Sequence, residues 1–211
     1  MFFDKEFHIA LFPAFLKLQG RRVVVVGGGP VAASKLAALQ AADARVVVVA
    51  PEVCEAIRSA GVDVIQRPFE SSDLDGAWFV VAAAPPEVNR SVAQEAERRQ
   101  VFVNAVDDPS NATVYLGGVV RRPGVTLAIS TDGAAPALAG LLREALDYLL
   151  PDDITLTAWN DRARDIRQSW RARGVPMEAR RPELLEALNE LYESRRVERD
   201  RRPVRDAELV K

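Results

Sequence analysis

The sequence predicts an α/β fold, a doubly wound parallel sheet followed by a small α+β unit and a helical tail. Three observations carry this. Two valine-rich runs, Arg21–Val26 and Arg45–Ala50, stand one helix length apart. Three glycines, Gly27, Gly28 and Gly29, fall between the first run and a helix-forming stretch that opens at Pro30. Strand-like and helix-like segments then alternate as far as Asn104, the rhythm of crossover-connected parallel strands.

The elements follow in order. An apolar lead-in, Ile9 to Leu18, reaches Gly20 and is expected to pack on the sheet edge. Strand one is Arg21–Val26, whose unbroken β-branched run suits a strand buried on both faces. A helix over Val31–Ala42 offers Val31, Leu36 and Leu39 as its buried face. Strand two, Arg45–Ala50, is followed by a short helix from Pro51 towards Ala60, ended by Gly61. Strand three is Val62–Gln66, Pro68–Gly76 is a polar turn, and strand four is Ala77–Ala83. Pro85 and Pro86 set the start of a helix over Glu87–Gln100. Strand five, Val101–Val103, ends at Asn104. After Asn111 the apolar runs Val114–Val120 and Val125–Ser130 flank Arg121-Arg122-Pro123-Gly124, a hairpin signal with no helix between the strands. A helix over Pro136–Leu150 closes at Pro151. Residues Asp152–Lys211 read as charged helices whose apolar residues (Trp159, Ile166, Trp170, Leu184, Leu188, Leu191) are too sparse for a core, so the segment is expected to pack on a partner surface or another subunit. The expected divisions are 1–112, 113–150 and 151–211.

Composition narrows the function classes. A net charge of −2 over 211 residues leaves no basic field for nucleic acid. The single cysteine, Cys54, allows neither an intrachain disulfide nor a cysteine metal cluster, which favours a reducing compartment. No apolar run reaches the length of a membrane span. Asp4 and Glu6 stand early, without a signal-peptide pattern, so a cytoplasmic location is expected. The one histidine, His8, precedes the first strand and reads as a surface or packing residue. A Ser-His-Asp triad or a histidine-rich zinc site is excluded with it.

The glycine run carries the chemistry. With Ala32 in the third small position, it reads G-x-G-x-x-A between a strand and a helix, the turn that cradles a dinucleotide pyrophosphate. Gly27 lets the chain leave the strand, Gly29 lets backbone approach phosphate, and Ala32 lets the helix pack closely. Free N–H groups around Pro30 and Val31 and the helix dipole then face the anion. A glycine turn that binds nothing is the alternative. Ligands are expected at the carboxyl ends of the strands, at Gly27, Ala50, Ala83 and Asn104. No acidic residue ends strand two for the ribose hydroxyls; the run is Val49-Ala50-Pro51-Glu52, with Glu52 slightly late and no basic residue in its place, which favours NAD over NADP. Strand five runs into Asn104-Ala105-Val106-Asp107-Asp108. Asp107 is the candidate general base or a turn former, and Asp108, before Pro109, reads as a turn residue. Ser130 and Thr131 either cap the next helix or contact a ligand. Arg121 and Arg122 at the hairpin tip belong to a solvated face unless a polycarboxylate recruits them.

Together these residues resemble the precorrin-2 dehydrogenase family, the N-terminal module of siroheme synthase, some members of which are also sirohydrochlorin ferrochelatases. The likeness runs through LFPAFLKLQGRRVVVVGGGPVAASK from Leu11, VVAP at Val48–Pro51, PEVN at Pro86–Asn89, NAVDDP at Asn104–Pro109, and AIST with ALAGLLREALD. It implies an NAD-binding Rossmann-type domain, a small dimerisation domain, a helical C-terminal part and an intertwined homodimer. It implies Asp107, from the N-x-x-D motif, as catalytic residue. Cofactor contacts are expected at Gly27, Gly28, Gly29, Pro30, Val31, Pro51, Glu52, Ala83 and Asn104, and tetrapyrrole contacts at Ser130, Thr131 and Arg121. The implied reaction takes a hydride from precorrin-2 onto NAD+ to give sirohydrochlorin, with Fe2+ as substrate of a chelation step and no metal fixed in the protein. Departures stand at Asp132, where a glycine is usual, at Ala135, where a serine is usual, at AAAPP ending strand four, and at SNATVYLGG after Pro109. They keep open a chelatase-only protein, a homologue acting on another tetrapyrrole, and a non-catalytic NAD-binding module.

Overall fold

The computed structural model describes residues 11–132 and 135–200, with the side chains of 190–200 left aside. One compact unit comprises the described part of residues 1–117 with 130–139, and the second comprises 118–129 with 140–200. The first holds β1 (Arg22–Val26), α1 (Pro30–Ala41), β2 (Arg45–Val49), α2 (Glu55–Arg58), β3 (Asp63–Ile65), a 3-10 turn (Ser71–Leu74), β4 (Phe79–Ala82), α3 (Pro86–Arg98), β5 (Phe102–Ala105) and a second 3-10 turn (Pro109–Asn111). Its five strands are parallel in the order β3-β2-β1-β4-β5, the Rossmann-type arrangement expected from the sequence.

Successive side chains of a strand point to opposite faces, so a valine run feeds two cores. Val23, Val25, Val46, Val48, Phe79 and Val81 pack with Ala32, Leu36 and Leu39 of α1 and Ile57 of α2. The alternate residues Val24, Val26, Val47, Val49, Val80 and Ala82 pack with Val92 and Ala96 of α3 and with Leu74. Helices therefore cover both faces of the sheet. The edge strand β5 is screened by the chain that follows: Thr113 and Val114 N–H both donate to the Val103 carbonyl at 2.9 Å, which removes an open edge.

Several expectations shift. The lead-in does not pack on the sheet edge: Leu18 alone is buried, while Leu11, Phe12, Phe15 and Leu16 are exposed, and Ile9 lies outside the described residues. Gly20 N–H donates to the Asp43 carbonyl and Arg21 N–H to that of Leu18, so the chain turns straight into β1 at the sheet centre, away from either edge. Val31 is exposed, because the helical row facing the sheet is Ala32, Leu36 and Leu39. Residues 51–54 are loop rather than helix, because Cys54 N–H donates to the Gly28 carbonyl and Cys54 caps a helix of one turn. Asn104 lies within β5, not past its end. Val114 bonds to β5 and residues 115–117 form no strand, which leaves β6 (Gly118–Arg122) and β7 (Val125–Ile129) for the hairpin.

The second unit holds that hairpin, most of α4 (Pro136–Leu149), α5 (Asp153–Arg173) and α6 (Met177–Asp200). Gly174, at φ +65°, ends α5. Trp170 Nε1 and Arg173 both donate to Glu183 Oε2, at 2.7 and 2.8 Å, joining α5 to α6. Those bonds, the indole N–H first, hold the Glu183 carboxyl below its ordinary value.

Candidate functional site

The sheet grows outward from β1 through β2 and β3 on one side, and through β4 and β5 on the other. Chains leaving β1 and β4 therefore diverge to opposite faces, and a crevice opens between their carboxyl ends. Gly27 sits there at φ +131°, and its N–H donates to the Val49 carbonyl at 3.0 Å. A Cβ on Gly27 would lie 2.7 Å from the Ala83 carbonyl carbon, so β4 passes too close for any side chain. Ala83 N–H in turn donates to the Val26 carbonyl at 2.8 Å.

The next two glycines differ. A Cβ on Gly28 would overlap the Glu52 carbonyl oxygen and stand 2.8 Å from the Glu52 carbonyl carbon and 3.0 Å from Val53 Cα. The Gly28 carbonyl accepts Cys54 N–H at 2.7 Å. Gly28 thus clasps the loop after β2 to the loop after β1. A Cβ on Gly29 would meet nothing within 4 Å. Gly29 is extended (φ −88°, ψ −177°) and precedes Pro30, the first residue of α1. Open space over Gly29, unpaired first-turn N–H groups and the positive end of α1 make a cradle that fits a pyrophosphate.

Past β5, Val106 N–H donates to the Ala82 carbonyl at 2.9 Å, prolonging the ladder to the lip of the crevice. There the two aspartates part. Asp108 accepts Ser110 Oγ and Asn111 Nδ2, each at 2.7 Å, and these bonds hold its carboxyl below the ordinary value. It is the turn residue expected. Asp107 is exposed, takes the left-handed conformation at φ +57°, and its side chain has no hydrogen-bond or ion-pair partner among the described residues. From Gly27 to the end of β5 is two strand spacings, about 10 Å.

Other expected site residues divide by role. Pro51 and Glu52 are exposed on the loop clasped by Gly28. Asn104 is buried, and its Nδ2 donates to the Val114 carbonyl at 2.9 Å. Ser130 Oγ accepts Asp132 N–H at 3.1 Å and Thr131 Oγ1 accepts Ala135 N–H at 3.3 Å, so both hydroxyls brace the turn before α4. Asp132 is exposed, at φ +53°. Arg121 belongs to the second unit, on β6. Two features escaped sequence reasoning. One is the Gly28–Cys54 clasp. The other is the tie of Arg122 to Asp147 at 3.0 Å and Asp153 at 3.2 Å. Their partners are too distant in sequence to leave a local signal.

Comparison with known proteins agrees with this geometry. A family described as "Putative NAD(P)-binding" matches residues 14–118. A siroheme synthase of Photorhabdus laumondii is 39% identical over 171 residues, covering 76% of this chain and 36% of that protein. One of Pseudomonas entomophila is 42% identical over 144 residues, 66% of this chain and 31% of that protein. The chain thus spans about a third of the length of these curated relatives. Among solved structures, SirC, a precorrin-2 dehydrogenase, superposes with a TM-score of 0.64 at 26% identity, over 83% of this chain and 88% of that one. Residues 14–118 thus form a domain of the putative NAD(P)-binding family, and the chain is similar to siroheme synthases over about a third of their length and to the precorrin-2 dehydrogenase SirC over most of its own.

Proposed function

We propose that this chain oxidises precorrin-2 to sirohydrochlorin with NAD+. The observation that carries the reading is the partnerless Asp107 carboxylate at the crevice lip, two strands from the glycine cradle. The kinship with siroheme synthases and SirC supports the substrate. NAD+, when bound, supplies the hydride acceptor. Gly27, Gly29 and the Pro30–Val31 turn hold its pyrophosphate, Gly28 fixes the loop that presents Pro51 and Glu52 to the ribose, and Ala83 walls the crevice. Asn104 acts by holding the 113–117 cover in place. Asp107 takes the proton that precorrin-2 loses as a hydride leaves, and the extended conjugation compensates for the broken C–H bonds. Ser130 and Thr131, in the same unit as Asp107, are the substrate contacts of this reading.

Two finer readings accompany this one. Fe2+ is a second substrate, inserted after oxidation, with Asp107 removing pyrrole protons. The chain works as a cytoplasmic homodimer through segment 113–150, a reading supported by the exposed apolar row Leu138, Leu141, Leu142 and Leu149 on α4. A second reading, a homologue acting on another tetrapyrrole, draws on Asp132, an exposed carboxylate in a glycine-type conformation where a polyanion would meet repulsion.

The test is anaerobic mixing of the protein with precorrin-2 and NAD+ before any metal is added. NADH and sirohydrochlorin should form in equal amounts. Asp107→Ala should slow both by about 10² to 10⁴, the usual contribution of a positioned base. A loss under roughly threefold with folding intact overturns the assignment of Asp107.

A further inference from the structure

Strand alternation sorts the β6–β7 ribbon into two faces. Gly118, Val120 and Arg122 pair across it with Ile129, Leu127 and Val125, while Val119 and Arg121 pair with Ala128 and Thr126. The first set faces the body of its unit: Val120 is buried, and Arg122 reaches Asp147 of α4 and Asp153 of α5. The second set presents Val119, Arg121, Thr126 and Ala128, of which the last three are exposed.

The adjacent arginines are therefore electrically unlike. Arg122 is neutralised by two carboxylates. Arg121, on the opposite face, has no ion-pair or hydrogen-bond partner for its side chain among the described residues. The turn that carries it is locked. Asn160 Nδ2 donates to the Pro123 carbonyl at 2.8 Å and to the Leu156 carbonyl at 2.9 Å. Gly124 takes φ +71°, and a Cβ on it would stand 2.7 Å from Asn160 Cγ. An uncompensated guanidinium carried on a locked turn, at the end of an otherwise uncharged strip, is complementary to a planar macrocycle with carboxylates on its rim.

We infer that the Val119–Arg121–Thr126–Ala128 face of the hairpin is a platform for the tetrapyrrole, with Arg121 taking a rim carboxylate and Asn160 acting as a positioning residue for that guanidinium. This rests on the proposed tetrapyrrole chemistry and adds the surface and the group recognised. Ala128 and Thr126 leave room for the ring, and the Asp147–Arg122–Asp153 clamp keeps acidic groups on the other face, away from an anionic ligand.

The test is titration of the full chain with uroporphyrin III, an octacarboxylate porphyrin, followed by its absorbance, beside the tetracarboxylate coproporphyrin III. The wild type should bind the octacarboxylate more tightly. Arg121→Gln should weaken uroporphyrin about tenfold, the effect of one charge-assisted contact at an exposed site, and leave NAD+ affinity unchanged. Arg121→Lys should recover part of the loss, since the charge remains without the fork. Asn160→Ala should weaken binding in the wild type but add nothing on the Arg121→Gln background, a coupling that a merely structural role would not show. Unchanged affinity in Arg121→Gln overturns the platform while leaving the tetrapyrrole reading standing. Failure of the folded wild type to bind either porphyrin overturns both. A loss that tracks a change in sedimentation also overturns the platform, because the face then meets a second copy.

Discussion

Gly28→Ala and Gly29→Ala change neighbouring residues by the same methyl group, yet the structure requires opposite outcomes. At Gly28 the new Cβ would overlap the Glu52 carbonyl oxygen and stand 2.8 Å from its carbon, where carbon pairs settle at about 3.5–4.0 Å. The loop after β2 must therefore retreat by roughly 1 Å, which stretches the 2.7 Å bond from Cys54 N–H. Overpacking of this kind costs about 1–3 kcal/mol, and the weakened hydrogen bond adds about 0.5–1.5 kcal/mol. For a chain of this size the sum lowers Tm by roughly 3–18 °C. At Gly29 the Cβ enters open space and the backbone is already in a conformation that alanine adopts. Its Tm should stay within about 2 °C of wild type, or rise, because alanine restricts the unfolded chain. NAD+ affinity is the second readout. Gly29→Ala should weaken it at least about tenfold, a loss near 1.4 kcal/mol, if the open space over Gly29 takes the pyrophosphate as proposed. Differential scanning fluorimetry with and without NAD+, followed by calorimetric titration, separates the cases. A stable Gly29→Ala that binds NAD+ like wild type refutes the placement of the pyrophosphate. A Gly28→Ala with wild-type Tm refutes the clasp.

Other consequences follow from the same fold. Burial of Asp73 pushes its carboxyl upward, but bidentate Arg67 at 2.7 and 2.8 Å and the Glu70 N–H outweigh it and hold the group below its ordinary value. A depressed folded value stabilises the protein fully above the unfolded value of about 3.9 and is lost as pH falls through the folded one. Asp73→Asn should therefore be less stable than wild type at pH 7, by about 2–4 kcal/mol after allowing for the part-exposed Arg67, and the gap should narrow in urea melts as pH falls below about 3.9; a constant gap counts against the pair. Asn104→Ala should cost about 1–2 kcal/mol by freeing the Val114 carbonyl while shifting NAD+ affinity less than about threefold, so a larger binding loss at unchanged stability would make Asn104 a direct cofactor contact. Gln100 follows α3 in the left-handed conformation at φ +55°, where a side chain costs about 1 kcal/mol; Gln100→Gly should raise stability by about 0.5–1 kcal/mol in denaturant titration, and a decrease would show that its side chain contributes more than the strain.

Local signals made much of this protein legible. Val23–Val26 and Val46–Val49 fill both layers of the core, as a short β-branched run apolar at every position does in a strand covered on two faces. The glycines marked the tight turn between β1 and α1, and the Asp-Pro pair correctly marked Asp108 as a turn residue. Boundaries erred where a distant backbone group competed for the same hydrogen bonds. The expected helix from Pro51 lost its first turn to the Gly28 carbonyl, and the expected strand from Val114 was diverted onto β5 by Val103 and Asn104. Leu11, Phe12 and Phe15, expected from their apolarity to pack on the sheet edge, are exposed, because the chain enters β1 in mid-sheet.

By itself the sequence determined the fold class, the glycine cradle and the carboxylate that follows strand five, because each rests on periodicity and on residues adjacent along the chain. Only the tertiary structure decided that Gly28 serves the loop after β2 while Gly29 stays open, that Asp107 is without a partner while Asp108 is wound into a turn, and that Arg121 is uncompensated while Arg122 is neutralised. In each of these pairs the two residues are chemically alike and neighbours in sequence, so propensity cannot tell them apart. What separates them is which backbone or carboxylate the fold brings within a few ångströms, a contact set by residues up to several tens of positions away.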